Sequence, residues 1–392
     1  MEMKKESKKR CAGGIVDIVM KYFSFLFIVF SFASCTKKEE NNAIKDNRFL
    51  IAKDSLFLPL DSLTKTDPSS LQYLSNNQLL YSSDITGRIL FYDLNTKKVV
   101  NAIKLEREGT NGLGKGELGV SFINKDSIVV GSSTYDIFII NDKMEILYKN
   151  NFYKRKMSVE PFQPHVATTS QPIIKNEKIY LSGMPYLNAG KLKDFENFPA
   201  LFEVDLKSDD VKSLMNFPEP YQKGLYGANF ALHFHTYNPI NQTFVISFAA
   251  DPNVYTYSLQ SKKTKRYYAP SKHFTNIPPM PEGMDAQDFN NYLKFYIQSN
   301  SYGAIYYDKY RDVYYRFAER AVDEVRYKEK KWWKFKSVIV LDKDFNKIGE
   351  TDLPDGVNSW CVFISEQGLY IQTSQKSTED SVLFVRYELT KK

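Results

Sequence analysis

Beyond residue 50, short apolar runs alternate with polar turns, and the alternation has a period. A polar turn followed by a three-residue apolar start occurs at Leu79-Leu80-Tyr81, Ile128-Val129-Val130, Ile179-Tyr180-Leu181, Phe244-Val245-Ile246, Val313-Tyr314-Tyr315 and Leu369-Tyr370-Ile371. The six copies are spaced by 49, 51, 65, 69 and 56 residues. Each continues with a further strand, a polar turn and another strand, as in Ile89–Leu94 before Asn95-Thr96-Lys97-Lys98, or Ile137–Ile140 before Asn141-Asp142-Lys143. Runs of Val, Ile, Phe and Tyr bounded by Asn, Asp, Gly and Lys read as strands. A unit of about four antiparallel strands repeated six times predicts an all-β fold, a six-bladed β-propeller. The insertion at 269–301 leaves room for a degenerate seventh blade.

The chain ends fit the same ring. The sixth unit offers Trp360–Ser365, Leu369–Thr373 and Val382–Leu389 but no outermost strand. Ser55–Leu60, near the start, is a strand with no unit of its own. Pairing it with the last unit closes the ring and removes an exposed edge.

The stretches Tyr237-Asn238-Pro239 with Phe244–Asp251, and Tyr306–Phe317, are similar to an uncharacterised group of exported, propeller-like lipoproteins of Gram-negative bacteria. Their shared domain has no known function. The resemblance spans most of residues 50–390 and implies fold and location, with no catalytic residue to carry over.

Extra length is distributed unevenly. In a blade with strands a to d from the centre outward, loops b–c and d–a leave on one face, and a–b and c–d on the other. The long segments 183–199 and 318–336 are b–c loops; 106–118, 150–172, 218–230 and 269–301 are d–a loops. All project from one face, which makes that mouth of the channel the expected binding site. Asp285–Gln298 is predicted as the one short helical insertion, with Asp285 as N-cap. Tyr186, Tyr221, Tyr226, Trp332 and Trp333 supply flat aromatic faces there, with Lys330, Lys331, Lys334 and Lys336 around the tryptophans. Such side chains suit a glycan, a peptide or another envelope protein. The competing reading packs one tryptophan inward and makes 319–336 an amphipathic lid.

The first 48 residues address location. Lys21, the apolar run Tyr22–Phe32 and Ala33-Ser34-Cys35 form an export signal that is short for a membrane span. Phe-Ala-Ser-Cys resembles a lipobox, although Phe32 replaces the usual aliphatic residue. It implies a signal peptide over 1–34, lipid on Cys35, a polar tether over 35–48 and a single propeller over 49–392. The expected site is the outer membrane, periplasmic or surface-exposed; Lys38-Glu39-Glu40 resembles a surface-export signal. An ordinary signal peptide is the rival reading. Met20 is the expected start, with 1–19 a spurious extension or a long basic leader.

Net charge is +7 over the whole chain. Removal of residues 1–34 takes away six basic and three acidic residues, leaving +4 with signs interspersed, so no nucleic-acid partner is indicated. Cys361 is then the only cysteine besides Cys35, so no disulfide forms within the domain. Its apolar strand predicts a buried small hydrophobe.

Candidate chemistry is sparse. His233 and His235 stand two apart on a predicted inner strand and share a face, directed at the channel if that face is inward. A metal site would need His165 or His273 as well. Gly109–Glu117 lacks the Gly-Lys-Ser/Thr ending of a phosphate loop and reads as a link between blades. No metal site and no cofactor is assigned. A lipid-anchored binding or scaffold module leads. A metal-dependent propeller hydrolase, lactonase or lyase, with Ca²⁺ held by inner-strand acids, is the alternative, and a structural part of a larger assembly is a third.

Overall fold

The structure, a computed structural model, describes residues 47–391 apart from 84–86, 155–158, 186–194, 196–197 and 287. The signal segment, Cys35, nearly all of the tether and Tyr186 lie outside the described residues.

Six antiparallel sheets follow one another along the chain. After β1 (Arg48–Pro59), blade one is β2 (Ser70–Leu74), β3 (Gln78–Ser83), β4 (Arg88–Asp93) and β5 (Lys98–Lys104). Blade two is β6 (Leu118–Asn124), β7 (Ser127–Ser132), β8 (Asp136–Ile140) and β9 (Ile146–Asn151). Blade three has a split inner position, β10 (Phe162–His165) and β11 (Ile173–Lys175), both paired with β12 (Lys178–Pro185), then β13 (Pro199–Asp205) and β14 (Val211–Asn216). Blade four is β15 (His233–Asn238), β16 (Thr243–Phe248), β17 (Asn253–Ser258) and β18 (Lys263–Tyr268). Blade five is β19 (Ser301–Asp308), β20 (Val313–Arg320), β21 (Phe335–Leu341) and β22 (Lys347–Asp352). Blade six is β23 (Val357–Ser365), β24 (Gly368–Thr378) and β25 (Ser381–Lys391), completed by β1. The ring therefore has six blades, and the seventh is absent from the described residues.

The clasp forms as the sequence predicts. β1 pairs antiparallel with β25 from Arg48↔Lys391 to Pro59↔Ser381, with a bulge between Ala52 and Ser55. Leu58, opposite Val382, is fully buried, and Asp54 takes a two-pronged ion pair from Arg386.

Burial follows position in the blade. All six residues of β16 are buried because neighbouring blades cover both faces of an inner sheet position, whereas β18 at the rim is almost wholly exposed. Apolar residues from adjacent blades form the core between the sheets. The polar turns are tight for a local reason. Asn176 and Glu177 both have positive φ and join β11 to β12 as a two-residue hairpin, the geometry that matches strand twist. At the c–d turns, Asp205 and Asp342 accept backbone N–H bonds from residues two to four ahead.

Among the described residues three short α-helices sit in the long loops: α1 (Glu219–Lys223), α2 (Phe289–Ile297) and α3 (Glu324–Lys328). The predicted single helix corresponds to α2, which starts later than expected. Asp288, not Asp285, caps it by accepting from Asn291 N at 3.0 Å.

Candidate functional site

Inner strands meet around the channel and are stapled to one another by side chains. Gln72 Nε2 donates to Phe122 O while its Oε1 accepts from Phe122 N; Thr236 Oγ1 accepts from Tyr307 N. These bonds stand in for the backbone ladder that separate blades lack.

The channel is closed on the side of the long loops. Residues 166–172, the excursion that splits the inner strand of blade three, cross it. Leu71 N donates to Thr168 Oγ1 at 2.8 Å, and His235 N donates to Thr169 O at 3.1 Å. Gly119 makes room for this path, since a Cβ there would lie 1.7 Å from Val166 O. Phe234 of blade four and Trp360 of blade six meet nearby, edge to face.

A cavity of 610 Å³ remains on the other side, opening among the a–b turns. Its outer ring includes Tyr73, Ile123, Ile173, Tyr237, Tyr307 and Ile364, with Lys309 and Tyr310 at the lip. Deeper lie Ser121, Gln171, Thr168, His235 and Ile305. The expected mouth under the long loops is thus the closed one, because loop length does not govern which end of the channel is filled. Several rim rings are fixed: Phe363 stacks on Tyr370 at 4.5 Å and on Tyr73 at 6.1 Å, and the Tyr307 hydroxyl donates to Asp312. Ser121 belongs to the cavity wall, but its Oγ is sealed from solvent and has no hydrogen-bond partner among the described residues.

The two histidines do share a face, but it is the seam between blades three and four. His233 is fully buried, with its ring nitrogens at Ala200 O and Ala231 O and its ring against Phe217 and Phe248. His235 Nδ1 meets Ser182 Oγ and Nε2 meets Gln171 O, while part of the residue reaches the cavity wall. Burial holds the imidazole of His233 below its ordinary pKa and pushes His235 down to about 4. Both are neutral at pH 7. Among the described residues no three His, Cys, Asp or Glu side chains converge as a metal site.

Tyr221 and Tyr226 are core residues, not exposed stacking platforms. Tyr221, 1% exposed, donates to Phe230 O and accepts from Ala250 N; Tyr226 donates to Ile277 O. Trp332 and Trp333 are exposed on the long-loop face, 43% and 61%, with Trp332 stacked on Tyr327. Lys334 does not ring them. It is buried, its Nζ 3.7 Å from the Tyr296 ring centroid and 2.8 Å from Ser301 Oγ. Burial pushes its ammonium down to about 7, against an opposing pull from Glu319. Lys336 is buried beside it. Cys361 is buried as predicted, and burial raises its thiol far above the ordinary value, which keeps it protonated.

A family model described as "Domain of unknown function (DUF4221)" matches residues 47–352. A crystal structure of a DUF4221 family member from Bacteroides vulgatus superposes with a TM-score of 0.71 at 24% identity, covering 88% of this chain and 99% of that one. A crystal structure from Bacteroides fragilis described as "a Putative exported protein" superposes at 0.56 and 14% identity, covering 86% and 95%. No protein of curated function matches the chain. At these identities the structures speak for the fold, whereas the family match covers most of the sequence. The chain belongs to the DUF4221 family, a six-bladed β-propeller of unknown function.

Proposed function

We propose that this protein is an exported ligand-binding module, held at the outer membrane through lipid on Cys35, whose ligand enters the channel from the face of the a–b turns. The observation that carries the binding role is the 610 Å³ cavity with aromatic rings around its mouth, Tyr307 among them held by its own hydrogen bond. Cavities of this size, apolar at the walls with a few placed polar groups, are the usual form of a small-molecule site. Export is supported by the apolar segment Tyr22–Phe32 before Ala33-Ser34-Cys35, and by the description "Putative exported protein" of the Bacteroides fragilis structure. Trp332 and Trp333 remain available to a glycan, peptide or envelope-protein partner on the opposite face.

Thermal unfolding against sugars, peptides and nucleosides, with and without EDTA and Ca²⁺, tests the binding role. A ligand of the native state at a hundredfold excess over its Kd stabilises by about 2.7 kcal/mol. The reading requires that such a shift disappear in Ile123→Trp, which fills the mouth. A shift that survives this substitution, or one that follows only Ca²⁺, overturns it. Incorporation of labelled fatty acid that is lost in Cys35→Ser tests the anchor.

A further inference from the structure

The mouth of the cavity is a collar to which every blade contributes one large residue. Tyr73, Ile123, Ile173, Tyr237, Tyr307 and Ile364 stand near the turn ends of the inner strands, and each is half-buried. Two positions deeper, Leu71, Ser121, His235, Ile305 and Val362 are buried. Gln171, at the equivalent place in blade three, is the exception and stays part-exposed. Its carboxamide has no hydrogen-bond partner among the described residues and, unlike Ser121 Oγ, is not sealed from solvent. We propose that the cavity takes an uncharged cyclic amide, its amide edge paired with the Gln171 carboxamide and its apolar body held in the collar. The inference rests on the binding role proposed above and names the ligand class.

Three features select this class. The first is the chemistry of Gln171. A carboxamide offers an N–H donor and a carbonyl acceptor side by side in one plane. A cis amide, which a small ring enforces, answers both at once through parallel hydrogen bonds. An open-chain peptide bond is trans and turns its N–H and C=O to opposite sides. The backbone beneath the side chain is already set. His235 Nε2 meets Gln171 O at 2.9 Å, and Pro172 restricts the residue before it to extended conformations. A residue placed before the ligand arrives loses little freedom on binding.

The second is the charge of the walls. Among the described residues that line the cavity there is no carboxylate or guanidinium, His235 is neutral, and the one cation, Lys309, is exposed at the lip. A charged group carried to the depth of Gln171 would lose water without meeting an opposite charge. That disfavours the free ends of a linear peptide.

The third is the surface of the collar. Three isoleucines and three tyrosines offer apolar area, so hydrocarbon substituents gain by leaving water there. A polyol loses, because its hydroxyls would exchange water for isoleucine.

Calorimetric titration of the intact protein tests this with the cyclic dipeptide of leucine and phenylalanine, its doubly N-methylated form, the corresponding linear dipeptide, and maltotriose. The cyclic dipeptide is expected to bind, and the linear and N-methylated forms to bind about tenfold more weakly or less. Gln171→Leu keeps the size and removes the hydrogen bonds, so it is expected to weaken the cyclic dipeptide about tenfold. The carboxamide has no partner among the described residues, so the substitution should leave the unfolding midpoint unchanged and separate recognition from folding. If the cyclic dipeptide is inert, if Gln171→Leu binds it as well as the native protein, or if the linear dipeptide binds as tightly, the inference is wrong. Binding of maltotriose or the linear dipeptide alone, abolished by Ile123→Trp, overturns the cyclic-amide class and keeps the cavity as a site. Cyclic-dipeptide binding that persists in Ile123→Trp overturns both. Ile364→Trp, which fills the mouth from another blade, takes its place if Ile123→Trp does not fold.

Discussion

Phe234 and Trp360 meet edge to face with ring centroids 5.8 Å apart, although blade five separates the strands that carry them. The contact spans the channel. It lies on the long-loop side of the channel, where the 166–172 excursion also crosses. Trp360→Ala should cost about 1 kcal/mol, the scale of an aromatic pair, and open the channel toward the long-loop face. Denaturant unfolding measures the first effect and a crystal structure of the variant the second. An unchanged, closed channel would assign the closure to the excursion alone.

Arg316 is fully buried between blades four and five and has no carboxylate at hydrogen-bond distance among the described residues. It donates to Ser247 Oγ and to the carbonyls of Asp251, Pro252 and Ala269, with its guanidinium 3.8 Å above the Tyr302 ring. Burial lowers its pKa to about 10, so it stays charged at neutrality. Lysine cannot reproduce the planar fork. Arg316→Lys should therefore destabilise by about 3 kcal/mol, because buried carbonyls lose their donors. A loss under 1 kcal/mol in denaturant unfolding would refute this.

Leu58 holds the clasp. Leu58→Ala should cost about 2–4 kcal/mol, since the side chain is fully buried and the ring leaves little room to collapse. Removing β1 altogether bares the edge of β25 and should produce oligomers by light scattering.

Lys334 makes stability depend on alkaline pH. Its folded pKa, about 7, lies below the 10.5 of an ordinary lysine, so the unfolded chain holds more protons between these values. Stability should rise from about pH 7 toward pH 10, by at most about 1.4 kcal/mol per unit from this group. Urea unfolding across that range should show the slope in the native protein and lose it in Lys334→Met.

His235 acts at the other end of the scale. Burial puts its folded pKa near 4, against 6.5 for an exposed imidazole. The unfolded chain takes up the proton first, so stability should fall as pH drops from 6.5 to 4 and then level off for this group. His165, held near 3, adds a fall in the same direction. Acid unfolding of His235→Gln should show a shallower decline.

The blades are legible in sequence because two-sided burial leaves a mark: a continuous apolar run such as Thr243–Phe248, framed by turn residues that tolerate positive φ. Ring closure is legible because one strand is missing at the end and one is spare at the start. The cavity is not. Its floor depends on residues 166–172, a polar stretch whose crossing of the channel is set by bonds to Leu71 and His235, far away in the chain. The fate of Tyr221 and Tyr226 is equally non-local, since each hydroxyl finds a carbonyl partner that no periodicity displays. Ser121 reads as an ordinary polar residue in a strand; only the lack of a partner in three dimensions distinguishes it.

The clasp also sets an order of events. Residues 48–59 are the first strand of the ring in chain order, yet their hydrogen-bonding partners are residues 381–391, so the earliest strand must wait for the latest. Until then blade six lacks its outer strand, and the waiting chain carries open edges that invite pairing with other chains. Contacts this distant along the sequence slow folding. A pulse-labelled chain should accordingly pass from protease-sensitive to resistant only after its last strand is made, with the ring locking in a single late step.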